Sequence, residues 1–295
     1  MNADQVRIGI GPIGWVNDDI RTWGAQTPGS TVMAEMAAAG YVGSEMSYAY
    51  PQEPAALRGA LAGHGLVLAA AYRWTNLAAP DRFEAEVEAT KAHIDFCKAA
   101  GARFALVAEG YQSLHWDHRG ERSAVTPFTD GQWARLVTGL QLCGEYARAQ
   151  EMTLAIHPHG GTAIETPAQI DRLFESLDPE LVGYCPDTAH ITYGGGDPAA
   201  VLQRHRERIV YVHLKDVRSA VLAHCRAEGL SFKQAVMQNV FCTPGAGSLD
   251  WPAIMAALSG YKGWLIVEAE QDPAVHPAFT VSKRCRAFLR ELAGV

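Results

Sequence analysis

The chain of 295 residues is 48% hydrophobic and 19% charged, the balance of a soluble globular protein, and no apolar run approaches the ~20 residues that a membrane span requires. Its formal net charge is −7, with acids and bases interspersed and no Lys/Arg block, which argues against nucleic acid and membrane surfaces as partners and favours a small polar molecule. The length exceeds that of an average domain but suits an α/β barrel of about 250 residues, so the sequence is read as a single domain over 1–295.

From the start, the chain repeats one pattern: a short apolar or β-branched run, a polar turn, then an Ala/Leu-rich amphipathic segment. The apolar runs fall at 7–10, 41–46, 66–71, 104–108, 153–157, 181–185, 209–213 and 264–268. Helical patterns follow them at 31–39, 54–63, 82–100, 129–150, 167–177, 198–206, 252–258 and 277–292. Pro54, Pro167, Pro198 and Pro252 stand where helices start, a position at which a missing N–H costs nothing. Gly40, Gly65 and Gly101 stand where helices end. Eight strands alternating with eight helices, strand first, predict a (β/α)8 TIM barrel. Two connections are longer than a barrel needs: 109–130, which carries Tyr111, His115, Trp116, His118 and Arg119, and 217–249. Both leave from the C-terminal face, where barrels hold their active sites, and read as lids or oligomer contacts.

The six cysteines, at 97, 143, 185, 225, 242 and 285, are scattered singly, which indicates reduced, buried fillers and not a disulfide framework or a zinc ribbon. The opening residues lack the basic and long apolar regions of a secretory signal, so a cytoplasmic location is expected.

Strand ends carry the chemistry. The fifth run closes on His157 and His159, the sixth on Asp187 and His190, the seventh on His213, and the eighth on Glu268 and Glu270. Taken singly, a strand-end His or Asp is a turn or cap residue. Four consecutive strands ending this way point instead to a divalent metal held by Asp187, His213 and Glu268, because imidazole nitrogen with carboxylate oxygen suits Mn, Co, Fe, Mg or Zn. His115, His118, His205, His224 and His276 lack such company. Gly194-Gly195-Gly196 has neither a Walker lysine nor a dinucleotide fingerprint and reads as a flexible loop. Cys185 is expected to be structural, with a nucleophilic role as the rival reading.

The motifs Ile13-Gly14-Trp15-Val16-Asn17-Asp18-Asp19, Gly43-Ser44-Glu45, Ile156-His157-Pro158-His159-Gly160-Gly161-Thr162, Asp187-Thr188-Ala189-His190, Val212-His213-Leu214-Lys215-Asp216 and Val267-Glu268-Ala269-Glu270 resemble those of the inosose dehydratases, within the xylose-isomerase-like TIM barrels. The resemblance runs over essentially the whole chain. It implies one divalent metal at the barrel mouth, Mn2+ or Co2+ in preference to Mg2+, Fe2+ or Zn2+, and ligand positions at Asp187, His213 and Glu268. His190 then matches a substrate contact. His157 stands where many relatives of the superfamily carry a glutamate, so His157 and His159 are expected to divide the roles of ligand and acid/base.

Lys215 is the further catalytic candidate, with a surface position or an ion pair to Asp216 as the alternative. Trp15, Asn17, Glu45, Trp74, Asn76 and Glu270 are expected to line the substrate pocket. Tyr48-Ala49-Tyr50 and Tyr72-Arg73-Trp74 depart from the family's common form. The implied reaction is dehydration of 2-keto-myo-inositol or a close keto-cyclitol. The alternatives are isomerisation, epimerisation or β-elimination on another keto-sugar or 3-keto-glycoside; an apurinic-site nuclease and a metal-free binding barrel are the rivals of other classes.

Overall fold

The computed structural model describes residues 6–116 and 124–294, so His118 and Arg119 of the first long connection lie outside the described residues. Eight parallel strands form the central sheet: β1 (Val6–Ile10), β2 (Gly43–Glu45), β3 (Val67–Thr75), β4 (Phe104–Glu109), β5 (Thr153–Ile156), β6 (Val182–Tyr184), β7 (Val212–Leu214) and, last in the chain, β10 (Gly263–Val267). Each strand from β1 to β6 pairs with its neighbour in sequence, β10 returns to pair with β1, and β7 pairs with β10. Parallel bridges from Tyr184 to Ile209 and from Asp187 to His213 join β6 to β7. The bonds Val210 N–H to Tyr184 O (3.0 Å) and His213 N–H to Pro186 O (2.9 Å) thereby close the ring. This is the (β/α)8 barrel that the repeat predicts.

The barrel interior is filled, not hollow. Ala70, Leu106, Ala155, Cys185, Tyr211 and Ile266, from strands all around the ring, share one buried cluster. Phe104 and Tyr211, from opposite sides, bring their rings to 5.4 Å. Helices α1 (Gly29–Ala39), α2 (Pro54–Ala62), α3 (Phe83–Ala99), α4 (Asp130–Ala149), α5 (Pro167–Ser176), α7 (Pro198–Arg204), α10 (Trp251–Ala257) and α11 (Ala278–Ala293) follow the strands. Their ends carry the expected signals: all four prolines lie in first turns, and Gly40 and Gly101 adopt left-handed φ of 91° and 88° at or just beyond helix C-termini.

Two features exceed the repeat. Helix α6 (Thr188–Tyr193) starts directly at Asp187. The connection after β7 is itself built, with strand β8 (Asp216–Val217) antiparallel to β9 (Phe241–Cys242), and helices α8 (Ser219–Ala227) and α9 (Phe232–Met237) between them. Asp216 anchors this excursion. Its carboxylate accepts from the backbone N–H of Val217, Gly245, Gly247, Ser248 and Leu249 and from Trp251 Nε1, so it is not the partner of Lys215. The two outer glycines of Gly194–Gly196 are packed, since a Cβ at 194 would meet the Glu165 carbonyl and one at 196 would meet Pro167 and Ile191, while a Cβ at 195 would meet nothing within 4 Å. All six cysteines are free and buried. Among the described residues, no helix is long and apolar enough to cross a membrane.

Candidate active site

Alternation along each strand sends residues two apart to the same side, and at the C-terminal ends that side is the barrel mouth. His157 and His159, His213 and Lys215, and Glu268 and Glu270 arrive there as pairs. His157 is set by two bonds: its N–H continues the sheet to Val107 O (2.8 Å), and its Nδ1 faces Cys185 O at 3.1 Å. A carbonyl only accepts, so Nδ1 carries the proton and Nε2 keeps its lone pair. By the same argument Nδ1 of His159, 2.9 Å from Gly160 O, leaves Nε2 free. The Gly160-Gly161 turn behind it needs glycine, because a Cβ at 160 would lie 2.6 Å from Phe232 Cε2, and Gly161 has φ of 73°.

His213 Nε2 and the Tyr211 hydroxyl both lie 2.9 Å from Glu45 Oε1. That leaves His213 Nδ1 without a hydrogen bond, 3.6 Å from Glu268 Oε1 and 4.0 Å from Asp187 Oδ2. Asp187 caps α6 with Oδ1, which accepts from Ala189 N–H (2.8 Å) and His190 N–H (3.0 Å). Its Oδ2 makes no hydrogen bond although it is buried.

Lys215 is fully buried, which overturns the surface alternative. Its ammonium lies 2.8 Å from Glu268 Oε2, 3.1 Å from Asp187 Oδ2 and 3.1 Å from Glu270 Oε2. Burial alone would drive a lysine toward neutrality; here the three carboxylates more than offset it and hold its pKa well above the usual value. The carboxylates respond unequally. Glu268, although burial pushes it up, is brought down to about 2 by His213, Lys215 and His157. Glu270, where burial dominates and Glu268 and Asp19 add to it, is raised to about 7 despite Lys215. His190 accepts from Gly160 N–H at Nδ1 (3.2 Å), and its Nε2 lies 3.2 Å from Lys215 Nζ. Burial, then neighbouring cationic groups, holds His157, His159 and His190 well below the ordinary histidine pKa, so all three are neutral at pH 7.

Above this cluster opens a cavity of about 490 Å³. Asn17, Glu45, Trp74, His157, His159, His213, Glu268 and Glu270 line it, as expected from the sequence. Asp187, His190 and Lys215 do not line it but touch the residues that do. Trp15 does not belong to it: the ring is buried in the main core and its Nε1 donates to Glu35 Oε2 at 2.6 Å. Asn76 also turns away, donating to Glu86 on α3.

Several wall residues escaped the sequence reading. His115 packs at 4.8 Å from both Trp74 and His159 and reaches Gly160 O through Nε2. Phe232, Lys233 and Val236 come from α9 in the inserted segment; Tyr48, after β2, and Tyr72, within β3, line the cavity too, in the two stretches that the sequence marks as departing from the family's form. The available signal for His115 and for α9 was position: they lie in the two long connections that follow strand ends.

The family model described as a xylose isomerase-like TIM barrel matches residues 33–292. The chain is 41% identical over 294 residues to an inosose dehydratase of Geobacillus kaustophilus (strain HTA426), covering 98% of this chain and 96% of that one. The chain belongs to the inosose dehydratase family. A Klebsiella pneumoniae inosose dehydratase (subsp. pneumoniae, strain ATCC 700721 / MGH 78578) is 37% identical and covered in full, as is this chain. Solved structures share the fold at low identity. A D-psicose 3-epimerase superposes with a TM-score of 0.72 at 15% identity, covering 98% of this chain and 100% of that one. A probable 3-DHS dehydratase of Bacillus anthracis gives 0.70 at 14%, covering 96% and 98%. Against that family fold the donor set at the mouth fits a divalent cation. His213 Nδ1, buried and without a hydrogen bond, lies 3.6 Å from Glu268 Oε1 and 4.0 Å from Asp187 Oδ2, which is ion-paired to Lys215, and His157 groups with His213 and Cys185. The second ring nitrogen of His213 is fixed by Glu45, and that of His157 by Cys185 O, as ligand histidines require.

Proposed function

We propose that this protein is a cytoplasmic, metal-dependent hydro-lyase that dehydrates 2-keto-myo-inositol or a close keto-cyclitol, with the whole chain acting as one barrel domain. The observation that carries the reading is the pair of buried neutral histidines, His157 and His159, at the end of strand five, in a chain 35–41% identical to inosose dehydratases. His157, Asp187, His213 and Glu268 would hold the ion; their imidazole and carboxylate donors suit a divalent cation, and the family resemblance favours Mn2+ or Co2+ among these. A divalent cation there supplies Lewis acidity to a ketone oxygen.

The remaining steps belong to the side chains. Elimination needs a base for the proton α to the ketone and an acid for the departing β-hydroxyl. His157 lies among His213, Cys185 and the Glu268 charge, so it takes the ligand role; His159 packs against Trp74, His115 and His190, away from that point. His159, neutral and with Nε2 free, is therefore the base. Glu270, titrating at about 7 and bonded to Lys215, can deliver a proton at neutral pH. Lys215 fixes Glu268 and Glu270, and His190 Nδ1 holds the Gly160 turn that carries His159 by accepting from Gly160 N–H. The walls of Trp74 and Tyr72 offer apolar faces to the C–H face of a ring, with Asn17 and Glu45 as polar contacts.

Incubation of the purified protein with 2-keto-myo-inositol and Mn2+ or Co2+ should generate the ultraviolet absorbance of an enolised diketone, and chelation should abolish it. Silence in that assay, with turnover of a ketose or a 3-keto-glycoside by the same sample, would replace dehydration by isomerisation or another elimination.

A further inference from the structure

Two duties are open to Glu45. With His213 and Glu268 it forms a group of donors close enough together to hold an ion, which would make its carboxylate a ligand. It is also bonded to the His213 ring, which would make it the holder of a ligand instead. Its hydrogen bonds decide between the two. His213 Nε2 and the Tyr211 hydroxyl both lie 2.9 Å from the same oxygen, Oε1, and a carboxylate only accepts, so both groups donate to it. Two buried donors thus occupy Oε1, while His213 keeps Nδ1, which makes no hydrogen bond, for the side of Asp187 and Glu268.

Tyr211 is the rigid end of this relay. The alternation of β7 sends Tyr211, just before the strand, and His213 to the same side, with Tyr211 one layer deeper in the buried cluster that fills the barrel. Its ring is fully buried, 5.4 Å from the Phe104 ring and 5.7 Å from that of His213. A long glutamate side chain bonded to His213 alone would turn with the ring it has to hold; bonded also to a packed phenol, it has a fixed point in the core. Tyr211 does not line the cavity, so it acts on the mouth only through Glu45 and His213.

We propose that Tyr211 is a positioning residue of the metal site: its phenol anchors Glu45 from the barrel core, and Glu45 in turn holds the His213 ring with Nδ1 toward the ion. The assignment rests on the divalent-cation reading above. A carboxylate that orients a ligand histidine is worth about 10- to 100-fold in metal affinity, and that contribution depends on the carboxylate being held in place itself. The three roles open to the phenol differ in sign. An anchor strengthens metal binding, a filler of the core leaves it alone, and a competitor for a Glu45 that is itself a ligand weakens it.

The test titrates Mn2+ by calorimetry into the metal-free full chain and into Tyr211→Phe, Glu45→Gln and the double substitution, with melting temperature and circular dichroism confirming the fold. Tyr211→Phe should weaken Mn2+ binding about 10-fold, and Glu45→Gln by about 10- to 100-fold. In the Glu45→Gln background the Tyr211→Phe step should shrink to within about threefold, because a phenol anchors a neutral amide less firmly than a carboxylate. A lower melting temperature of Tyr211→Phe with unchanged Mn2+ affinity would make the phenol a filler and overturn the assignment. Tighter Mn2+ binding by Tyr211→Phe would overturn it in favour of Glu45 as a ligand. A wild type that takes up neither Mn2+ nor Co2+ would remove the cation reading and the assignment with it. Affinities in the expected order, without turnover of a keto-cyclitol, would remove the dehydration reading and leave Tyr211 in its role.

Discussion

Lys215→Met is the sharpest perturbation of this site, because it removes one cation from among three carboxylates with little change of volume. In the metal-free protein, Asp187, Glu268 and Glu270 are left buried without the ammonium 2.8–3.1 Å away. Stripping one partner from a buried ion pair costs about 3–5 kcal/mol. The unfolding entropy of a chain of 295 residues is about 0.6 kcal/mol/K, so the melting temperature should fall by about 5–8 °C. The fall must grow with pH. Glu270, raised to about 7 even with Lys215 holding it down, takes up a proton first and relieves the repulsion in acid.

Mn2+ should restore most of the lost stability, since Asp187 and Glu268 would then share a divalent ion. It should not restore turnover, which is expected to stay on the order of 10²–10⁴-fold below wild type if proton transfer depends on this lysine's neighbours being fixed. Calorimetry of metal-free and Mn-loaded protein at pH 6 and 8 provides the check. A metal-free variant melting within about 1 °C of wild type at pH 8 would refute the ion-pair argument itself.

Other expectations follow from single contacts. His157→Gln should lose bound metal by elemental analysis together with activity, whereas His159→Gln should retain metal and lose mainly kcat; identical behaviour of the two would remove the division of roles. Asp187→Asn should lower metal content and activity in parallel, with a near-normal circular dichroism spectrum. Glu270 is raised from 4.5 to about 7, so its contribution to metal-free stability is fully present below pH 4.5 and is lost as pH rises through 7, a cost of roughly 3 kcal/mol. Glu270→Gln should flatten that slope in denaturant titrations, and an unchanged slope would show that the group is not held protonated. Trp15→Phe should cost about 1–2 kcal/mol through the lost bond to Glu35 while leaving KM unchanged, since the ring lies in the core.

The repeat, the barrel and the carboxylates at its mouth were legible because each depends on local pattern alone. A strand of period two that ends in Asp187, His213 or Glu268 places that side chain at the mouth whatever the rest of the chain does. Trp15 and Asn76 were misplaced for the opposite reason. They lie beyond or at strand ends, where the direction of a side chain depends on its tertiary partner, here Glu35 on α1 and Glu86 on α3. Lys215 could have been a surface residue on pattern alone; only the carboxylates of Asp187, Glu268 and Glu270, all distant in sequence, make it the centre of the site.

The second long connection shows how far such distant coupling reaches. Asp216, next to Lys215 in sequence, draws five backbone amides and the Trp251 indole onto one carboxylate. That clasp fixes the return of the segment that carries α9, and α9 delivers Phe232 to the Gly160-Gly161 turn and to the rings of His115, His159 and His190. The family motif at His213 to Asp216 therefore does two jobs in adjacent residues, the buried charge cluster through His213 and Lys215 and the outer wall through Asp216. Asp216→Ala leaves those amides unpaired, so it should destabilise the protein by about 3–5 kcal/mol. Because the clasp is broken at the wall and not at the ion, its remaining folded fraction should keep metal affinity while KM rises. Loss of metal affinity in that variant, at unchanged KM, would show that Asp216 supports the metal face instead.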